Sequence, residues 1–337
     1  MKVRRRFTNQ LALVVTLCGA VLLSGCGANA KQEASAAGEG KQALTKVTQV
    51  TNWFAEAEHG GQYAALQQKF YEEAGLDMTL EPGGPQVSGI QLVASGKYQF
   101  GMAHADEILM ARAQGIPVVA IASVFQTNPT GILYHSENKL ETVEGLAGKK
   151  VFILPGQPFW DYIKNTQAVD GVQVESYTGS LANFILDKSS YNQGFVTNEP
   201  FALQQEGVDY GSILVSDMTG YNPYSCMLFT TEDYIKNNPD IVKAYVQASI
   251  KGWDYYKEHS AEVNEFMMTF NPDATMEWLN FGAEQSRPLI WTTEVEKNGF
   301  GYMSVERWQT LLEQMLEGKV IDKEVDVKEA FTTEFLS

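Results

Sequence analysis

Cysteine is scarce in this chain of 337 residues, which contains only Cys18, Cys26 and Cys226. Cys18 and Cys26 lie in an N-terminal segment with the features of an export signal, so Cys226 is left as the one free thiol and no intramolecular disulfide can form. CxxC pairs are absent, and the four histidines lack the spacing of a metal motif. The sequence therefore predicts no metal site and a fold stabilised by its packed core, which this length can supply as two medium lobes.

Positive charge is also in short supply. Lys and Arg number 25 against 41 Asp and Glu, which gives a formal net charge of -16. Residues 1–25 contain four of the basic residues and no acidic one, so their removal would leave 21 - 41 = -20. Binding to nucleic-acid phosphates needs a basic stripe, and none remains. We therefore predict no nucleic-acid partner.

A hydrophobic run long enough to cross a membrane is missing as well. The apolar run at 11–23 has 13 residues, whereas a spanning helix needs about 20. It follows four basic residues and ends in small residues, so 1–25 are predicted to be an export signal. The sequence Leu23-Ser24-Gly25-Cys26 resembles the lipobox of bacterial lipoproteins, which implies acylation of Cys26 and a tether to the outer face of a membrane. A simple cleaved signal and a single membrane helix are the alternatives.

What the chain does contain is an α/β pattern that occurs twice. Residues 26–46 are small and polar without aromatics, which predicts a flexible tether. Short apolar runs then alternate with amphipathic stretches, and the pattern restarts near residue 150, which predicts two lobes with mainly parallel sheets. From 231 onward the sequence is mostly helical, and we expect these C-terminal helices to pack on the first lobe. The predicted boundaries are 47–140 and 225–337 for lobe 1 and 141–224 for lobe 2.

This organisation predicts a hinge, because the chain would cross between lobes twice, near 135–149 and 217–231. In open α/β sheets, ligands lie outside the carboxyl ends of the strands, so the loops that follow the predicted strands supply the candidate site. No Lys or Arg occurs among the candidates, which favours a neutral or cationic ligand, and the aromatic rings favour a flat one. Amides at helix N-termini can still bind anions, so an anionic ligand stays open. The candidates are Asn52, Trp53, His59, Tyr63, Gly84, His104, Asn128, Gln157, Trp160, Tyr177, Glu199 and Tyr221.

Several of these residues also have structural interpretations. Trp53 could contact ligand or simply pack, and Tyr63 forms a core-like stripe with Leu66 and Phe70. Glu199 precedes Pro200 at a strand-to-helix turn, where its carboxylate could accept a hydrogen bond from a ligand N–H or stabilise the helix N-terminus. His59 could donate to a ligand or be structural, and Asp106 could cap its helix.

A family resemblance covers nearly the whole mature chain. Its motifs resemble those of the solute-binding proteins of ABC importers for nitrate, sulfonates, taurine and thiamine pyrimidine precursors. The resemblance implies a two-lobed periplasmic binding protein fold of type II. It also implies a monomeric, extracytoplasmic, lipid-anchored binding protein that is not an enzyme, needs no cofactor, and delivers a small molecule to an ABC permease with its ATPase. The motifs are TNWF at 51–54, HGGQYAA at 59–65, YEEAGLD at 71–77, LVASG at 92–96, LAGKKV at 146–151 and YIKNNP at 234–239.

The Trp-Phe and His-Gly-x-x-Tyr elements look most like the branch that binds thiamine pyrimidine precursors, although residues 55–58 replace the Pro and Asn that this branch often has. The resemblance implies an aminopyrimidine, stacked by Trp53 and one or more of Tyr63, Trp160 and Tyr221, with Glu199 accepting a hydrogen bond. The alternatives are a sulfonate, taurine or nitrate-type anion, a pyrimidine-synthase-like enzyme, whose cysteine-rich motif this chain lacks, and a surface sensor or adhesin without transport.

Overall fold

Two five-stranded sheets carry the fold in residues 43–337, which is the part of the chain described by this computed structural model. The predicted export signal, Cys26 and most of the predicted tether lie outside that range. The strands are β1 Thr45–Val50, β2 Leu76–Glu81, β3 Phe100–Ala103, β4 Val118–Ala122, β5 Thr130–His135, β6 Lys150–Ile153, β7 Gln173–Ser176, β8 Tyr191–Phe195, β9 Tyr210–Leu214 and β10 Met227–Thr231.

Helices alternate with the strands of both sheets and form most of the C-terminal third. Short 3-10 turns occur at Ala57–His59, Ser136–Asn138 and Val143–Leu146. The α-helices are α1 Gly60–Gln67, α2 Phe70–Glu73, α3 Gly89–Ala94, α4 Ala105–Ala113, α5 Pro158–Thr166, α6 Ala182–Leu186, α7 Glu199–Gln205, α8 Val215–Thr219, α9 Glu232–Asn237, α10 Pro239–Met267, α11 Met276–Ile290, α12 Thr293–Asn298, α13 Val305–Glu317 and α14 Val327–Ala330.

Each sheet contains one strand that the sequence did not predict. The first sheet has the order β2-β1-β3-β10-β4, and β10 runs antiparallel to both neighbours. The second has the order β7-β6-β8-β5-β9, and β5 is antiparallel to both of its neighbours. The remaining pairs are parallel, as expected. The two-lobed α/β architecture of the prediction is therefore present, with one reversed strand in each lobe.

The position of β5 corrects the predicted lobe boundaries. Because β5 belongs to the second sheet, the first crossing lies at 123–129 and not at 135–149, and lobe 1 does not extend to 140. The second crossing lies at 220–226, inside the predicted range 217–231. β1 begins at Thr45, so the predicted tether also ends about two residues too late.

Burial explains why these segments form strands. Every residue of β3, β4 and β5 is buried, as expected for short apolar runs covered on both faces. The edge strand β2 instead alternates between buried and exposed positions, with Leu76, Met78 and Leu80 facing the core. Burial on both faces thus marks the inner strands, and alternating burial marks the edge strand β2.

Close contact between α1 and α10 fixes the loop that enters the site. A Cβ on Gly252 would lie 2.1 Å from the carbonyl oxygen of Gly61, and a Cβ on Gly61 would lie 2.2 Å from the Trp253 ring. Only glycine fits at both positions, so the helix backbones touch. This packing holds α1, and the loop before it, against lobe 1.

The prediction that the C-terminal helices pack on lobe 1 holds for only part of them. α10 packs on α1 and α11 packs on α10, but α13 contacts both α4 of lobe 1 and α5 of lobe 2. A continuous cluster of buried apolar side chains, which includes Ile108, Tyr162 and Leu312, joins these three helices. α13 therefore bridges the lobes. Within residues 43–337, no helix combines the length and apolarity needed to cross a bilayer.

Candidate ligand-binding site

A cavity of about 430 Å³ lies between the lobes, at the loops where the strands of both sheets end. This is the location that the predicted topology favours. Seven of the twelve candidate residues line the cavity, and they come from both lobes. They are Asn52, Trp53, Gly84, His104, Gln157, Tyr177 and Glu199.

Two further candidates line a smaller recess beside this cavity. Asn128 and Tyr221 lie there, and the recess shares His104 and Gln157 with the main cavity. Tyr221 stacks on Tyr162 with ring centroids 4.7 Å apart and donates a hydrogen bond of 2.9 Å to Asp106. The Tyr221 ring is thus already engaged inside the protein, so its predicted stacking on a ligand is wrong.

His59, Tyr63 and Trp160 do not line the cavity, which corrects the candidate list. Tyr63 is fully buried against Phe270, with ring centroids 5.0 Å apart, and Trp160 lies in the apolar cluster of α4, α5 and α13. Helix packing therefore turns both rings into the core. The core interpretation of Tyr63 is confirmed.

His59 acts on the cavity indirectly, through Asn52. Its Nδ1 accepts a hydrogen bond from the backbone N–H of Glu56 at 3.4 Å, so Nε2 carries the proton and donates to Asn52 Oδ1 at 3.0 Å. Burial lowers the pKa of His59 to about 3, which keeps the ring neutral. The Asn52 amide, held in this way, faces the cavity.

Glu199 lines the cavity with its carboxyl group held by two hydrogen bonds. Its carboxylate accepts hydrogen bonds from the Tyr177 hydroxyl at 2.9 Å and from the Phe195 backbone N–H at 2.7 Å. A Cβ on Gly194 would lie 3.0 Å from that carboxyl group, so glycine allows Glu199 to lie against β8. The carboxylate thus turns back from its own helix toward the cavity. Burial raises its pKa.

The cavity is acidic, and the sequence prediction missed part of this. Glu58 and Glu107 line it together with Glu199, and none of the described Lys or Arg residues does. Burial raises the pKa of Glu58 to about 7 and that of its neighbour Glu56 well above the ordinary range. Carboxyl groups without a cation complement N–H donors or a positive charge and disfavour an anion. The sequence signal for Glu58 was weak, because carboxylates are rarely buried.

On the open side of the cavity, the lobes meet through Asn198. This lobe 2 side chain donates from Nδ2 to Glu56 Oε2 at 2.6 Å and accepts at Oδ1 from Trp278 Nε1 at 2.6 Å. Glu56 and Trp278 both belong to lobe 1. Beside them, a Cβ on Gly179 of lobe 2 would lie 3.7 Å from the Trp53 ring. The lobes are therefore in contact on this side of the cavity, and we call this set of contacts the mouth junction.

On the opposite side, Arg307 of α13 binds both crossing segments. Its guanidinium donates to the carbonyl of Asn222 at 2.9 Å and to the carbonyl of Gln126, and its charge lies 3.9 Å from the centre of the Tyr224 ring. Asn222 in turn accepts a hydrogen bond of 2.9 Å from the backbone N–H of Asn128. These contacts and the packing of α13 on α5 form the hinge junction.

Comparison with known proteins shows which protein family this chain matches. A family model described as NMT1/THI5 like matches residues 56–263, more than half of the chain. A formylaminopyrimidine-binding protein of Halalkalibacterium halodurans is 22% identical, over 95% of this chain and 98% of that protein. The riboflavin-binding protein RibY of Chloroflexus aurantiacus is 24% identical, over 97% of this chain and 95% of RibY.

Relatives that are named as enzymes, and structures of more distant proteins, also match. A 4-amino-5-hydroxymethyl-2-methylpyrimidine phosphate synthase of Legionella pneumophila is 21% identical, over 87% of this chain and 92% of that protein. The alkanesulfonate-binding protein SsuA from Xanthomonas axonopodis superposes with a TM-score of 0.64 at 14% identity, over 87% of this chain and 99% of that one. At this identity the likeness concerns the fold alone, and it confirms the predicted periplasmic binding protein fold.

Proposed function

The chain belongs to the NMT1/THI5-like family, and on that premise we propose that it is the solute-binding protein of an ABC importer. It captures a small, flat, nitrogen-bearing heterocycle between its lobes, and an aminopyrimidine related to thiamine precursors fits best. One observation carries this proposal: the interlobe cavity presents Glu58, Glu107 and Glu199 beside the aromatic rings of Trp53 and Tyr177, without a Lys or Arg from residues 43–337.

Each part of this wall has a role in binding such a ligand. Glu199, already oriented by Tyr177 and the Phe195 N–H, accepts a hydrogen bond from an amino group or ring N–H. Trp53 supplies the stacking surface. Tyr63, Trp160 and Tyr221 have no part in stacking, so Tyr177 and Phe195, which line the cavity, take their place.

The acidic wall argues against the anionic alternative. A sulfonate or nitrate would lie near three carboxyl groups with no guanidinium or ammonium to balance its charge. Such a ligand would depend on backbone amides alone.

The enzyme alternative has little support in the chemistry of the site. The free thiol among residues 43–337, Cys226, is buried, and burial raises its pKa, which suppresses the reactive thiolate. No cluster of His, Cys, Asp and Glu in the same range is arranged to hold a metal ion. A binding role needs neither feature.

Calorimetry with a panel of ligands tests the assignment. The panel contains formylaminopyrimidine, hydroxymethylpyrimidine, riboflavin, taurine and nitrate, and we expect heat from a heterocycle only. Trp53→Ala should lower the binding free energy by about 1 kcal/mol beyond the lost burial, and Glu199→Gln by about 1 to 3 kcal/mol without unfolding the protein. Glu175→Gln, the same charge change on the exposed strand β7, is the control. Tight binding of taurine or nitrate with no binding of any heterocycle would overturn the proposal.

The proposal includes export and a lipid anchor at Cys26, by which the protein stays on the outer face of the membrane beside its permease. Metabolic labelling with palmitate tests the anchor. The label should be lost in Cys26→Ser and retained in Cys226→Ser, which removes the buried thiol instead. Label that persists in Cys26→Ser would rule out this anchor and leave a cleaved signal.

A further inference from the structure

A second cavity, of about 920 Å³, lies directly against the first and has no role in the function described so far. The two cavities share five lining residues, which form the wall between them. We call the cavity of about 430 Å³ the inner chamber and the larger one the outer chamber. The shared residues are Trp53, Pro85, Tyr177, Asn198 and Glu199.

Apolar side chains from both lobes line the outer chamber. Phe54 of lobe 1 is 46% exposed and Leu186 of lobe 2 is 83% exposed, and both border it together with Phe201 and Trp278. An occupant that covered these side chains would remove apolar surface from water, which is favourable. The chamber therefore suits a hydrophobic or aromatic group.

The charged residues that line the outer chamber limit further which ligand groups it can accept. Glu206 and Asp273 line it, as do Glu56 and Glu199, whereas none of the Lys and Arg residues in 43–337 does. Carboxylates beside aromatic rings attract a positively charged aromatic group and repel an anionic one. The two chambers thus favour the same sign of charge.

We propose that the outer chamber is a second ligand subsite, which takes an aromatic or apolar substituent, neutral or positively charged, of the same molecule whose nitrogen heterocycle occupies the inner chamber. The inference rests on the proposed function. Adjacency supports a single ligand, because Trp53 and Tyr177 border both chambers and one molecule that extends past these rings would occupy both. Each chamber lies within the range of about 300 to 1,000 Å³ that small-molecule sites occupy, so the inner one does not account for the outer. The proposed ligand is therefore a molecule of two parts, a nitrogen heterocycle and an aromatic or apolar substituent.

A matched pair of probes tests this. 4-Amino-5-hydroxymethyl-2-methylpyrimidine carries the heterocycle alone, and thiamine carries the same pyrimidine joined to a positively charged thiazolium ring. Calorimetry should give a Kd for thiamine at least tenfold lower than that for the single ring. Equal affinities, or exclusion of thiamine while the pyrimidine binds, would overturn the second subsite and leave the proposed function intact. Failure of both probes would remove the pyrimidine assignment together with this inference.

Variants of the outer chamber provide the internal control. Leu186→Gln should raise the Kd of thiamine about fivefold and leave that of the single ring unchanged. Val174→Gln, which changes a lobe 2 valine that is 46% exposed and lines neither chamber, should change neither value. If Leu186→Gln leaves both affinities unchanged but stops uptake in cells, the outer chamber is a docking surface for another protein and the inference is wrong.

Discussion

The hinge junction and the mouth junction hold the same two lobes together by different kinds of contact. At the hinge junction, α13 packs on helices of both lobes in a continuous apolar cluster, and Arg307 binds the backbone of both crossing segments. At the mouth junction, one Asn198 side chain forms hydrogen bonds with Glu56 and Trp278, and beside it a single pair of rings, Phe201 of lobe 2 and Phe281 of lobe 1, has centroids 5.7 Å apart.

This difference indicates which junction opens. Apolar packing is non-directional and grows with buried area, so the hinge junction keeps the lobes attached during small rotations. A hydrogen bond contributes only about 0.5 to 1.5 kcal/mol net and weakens steeply when its geometry changes. We therefore expect the mouth junction to be the weaker of the two, and the lobes to separate there when ligand enters or leaves.

The largest effect is expected from Tyr162→Ala, at the hinge junction. Tyr162 is buried against Tyr221, and its ring lies so close to Gly318 at the end of α13 that a Cβ there would be 2.8 Å away. Loss of the ring should lower the free energy of unfolding by about 3 to 4 kcal/mol, measured by urea denaturation. Tyr162→Phe, which keeps the ring, should lose less than about 1 kcal/mol. A small loss in Tyr162→Ala would mean that the two lobes do not share a core.

The second largest effect is expected from Arg307→Met, which should lower the free energy of unfolding by about 2 to 3 kcal/mol. The variant keeps an apolar stem but leaves the carbonyls of Gln126 and Asn222 without their donors. Arg307→Lys keeps the positive charge but loses the planar set of guanidinium donors, so its stability should lie between those of wild type and Arg307→Met. Hydrogen exchange should also become faster at 123–129 and 220–226. Unchanged exchange at these segments would show that Arg307 does not stabilise the crossings.

A pH-dependent effect is expected beneath the mouth junction, at Glu58. Burial raises its folded-state pKa to about 7 from an ordinary 4.5, so the folded protein binds more protons than the unfolded chain between these values. Stability should therefore fall as pH rises through this window. Glu58→Gln cannot ionise and should be more stable than wild type above pH 7, by an amount on the order of 1 to 3 kcal/mol, and similar to it near pH 4.5.

Unfolding curves recorded from pH 4.5 to 8 separate this contribution from those of other groups. Asp106, whose pKa burial raises to about 6, gives a slope of the same sign, and it should remain in Glu58→Gln. His59, with its pKa lowered to about 3, gives the opposite slope below pH 6.5. An identical pH profile in wild type and Glu58→Gln would mean that Glu58 is ionised throughout.

The smallest effect is expected from Trp278→Phe, which keeps an aromatic ring and removes the donor to Asn198. We expect the free energy of the closed arrangement to rise by about 1 kcal/mol relative to the open one, because one interlobe hydrogen bond is lost. X-ray scattering without ligand should show a larger radius of gyration than wild type, and saturating ligand should restore the smaller one. An unchanged radius would show that the mouth junction does not set closure. Global stability should hardly change.

The sequence predicted the parts of the fold that depend on local pattern. Apolar runs followed by amphipathic stretches correctly predicted the parallel strands and their helices. The pattern missed β5 and β10, because each follows a crossing and runs antiparallel, outside the strand-helix alternation. It also fits β8 poorly, because Asn192 and Gln193 are polar. Both are buried there, and Gln193 accepts a hydrogen bond from the Leu154 N–H.

The site could be predicted where it follows from topology and not where it follows from packing. Trp53, Tyr177 and Glu199 were found because they follow strands. Tyr63 and Trp160 also follow strands closely, but distant helices decide which way they face: Tyr63 packs on Phe270, more than 200 residues away. No local pattern encodes such a contact. The contacts of Asn198 could not be predicted for the same reason, since its partners Glu56 and Trp278 lie far from it in sequence.

The place of β10 in the first sheet has a consequence for the order in which the lobes can fold. β10 lies between β3 and β4, so lobe 1 cannot complete its sheet until residue 231 is available, and α10 must then pack on α1. Lobe 2 is built from the uninterrupted stretch 130–219 and can close its sheet by itself. Because contacts distant in sequence form slowly, lobe 2 is the natural first folding unit. During synthesis, the sheet of lobe 1 therefore stays incomplete until β10 has been made.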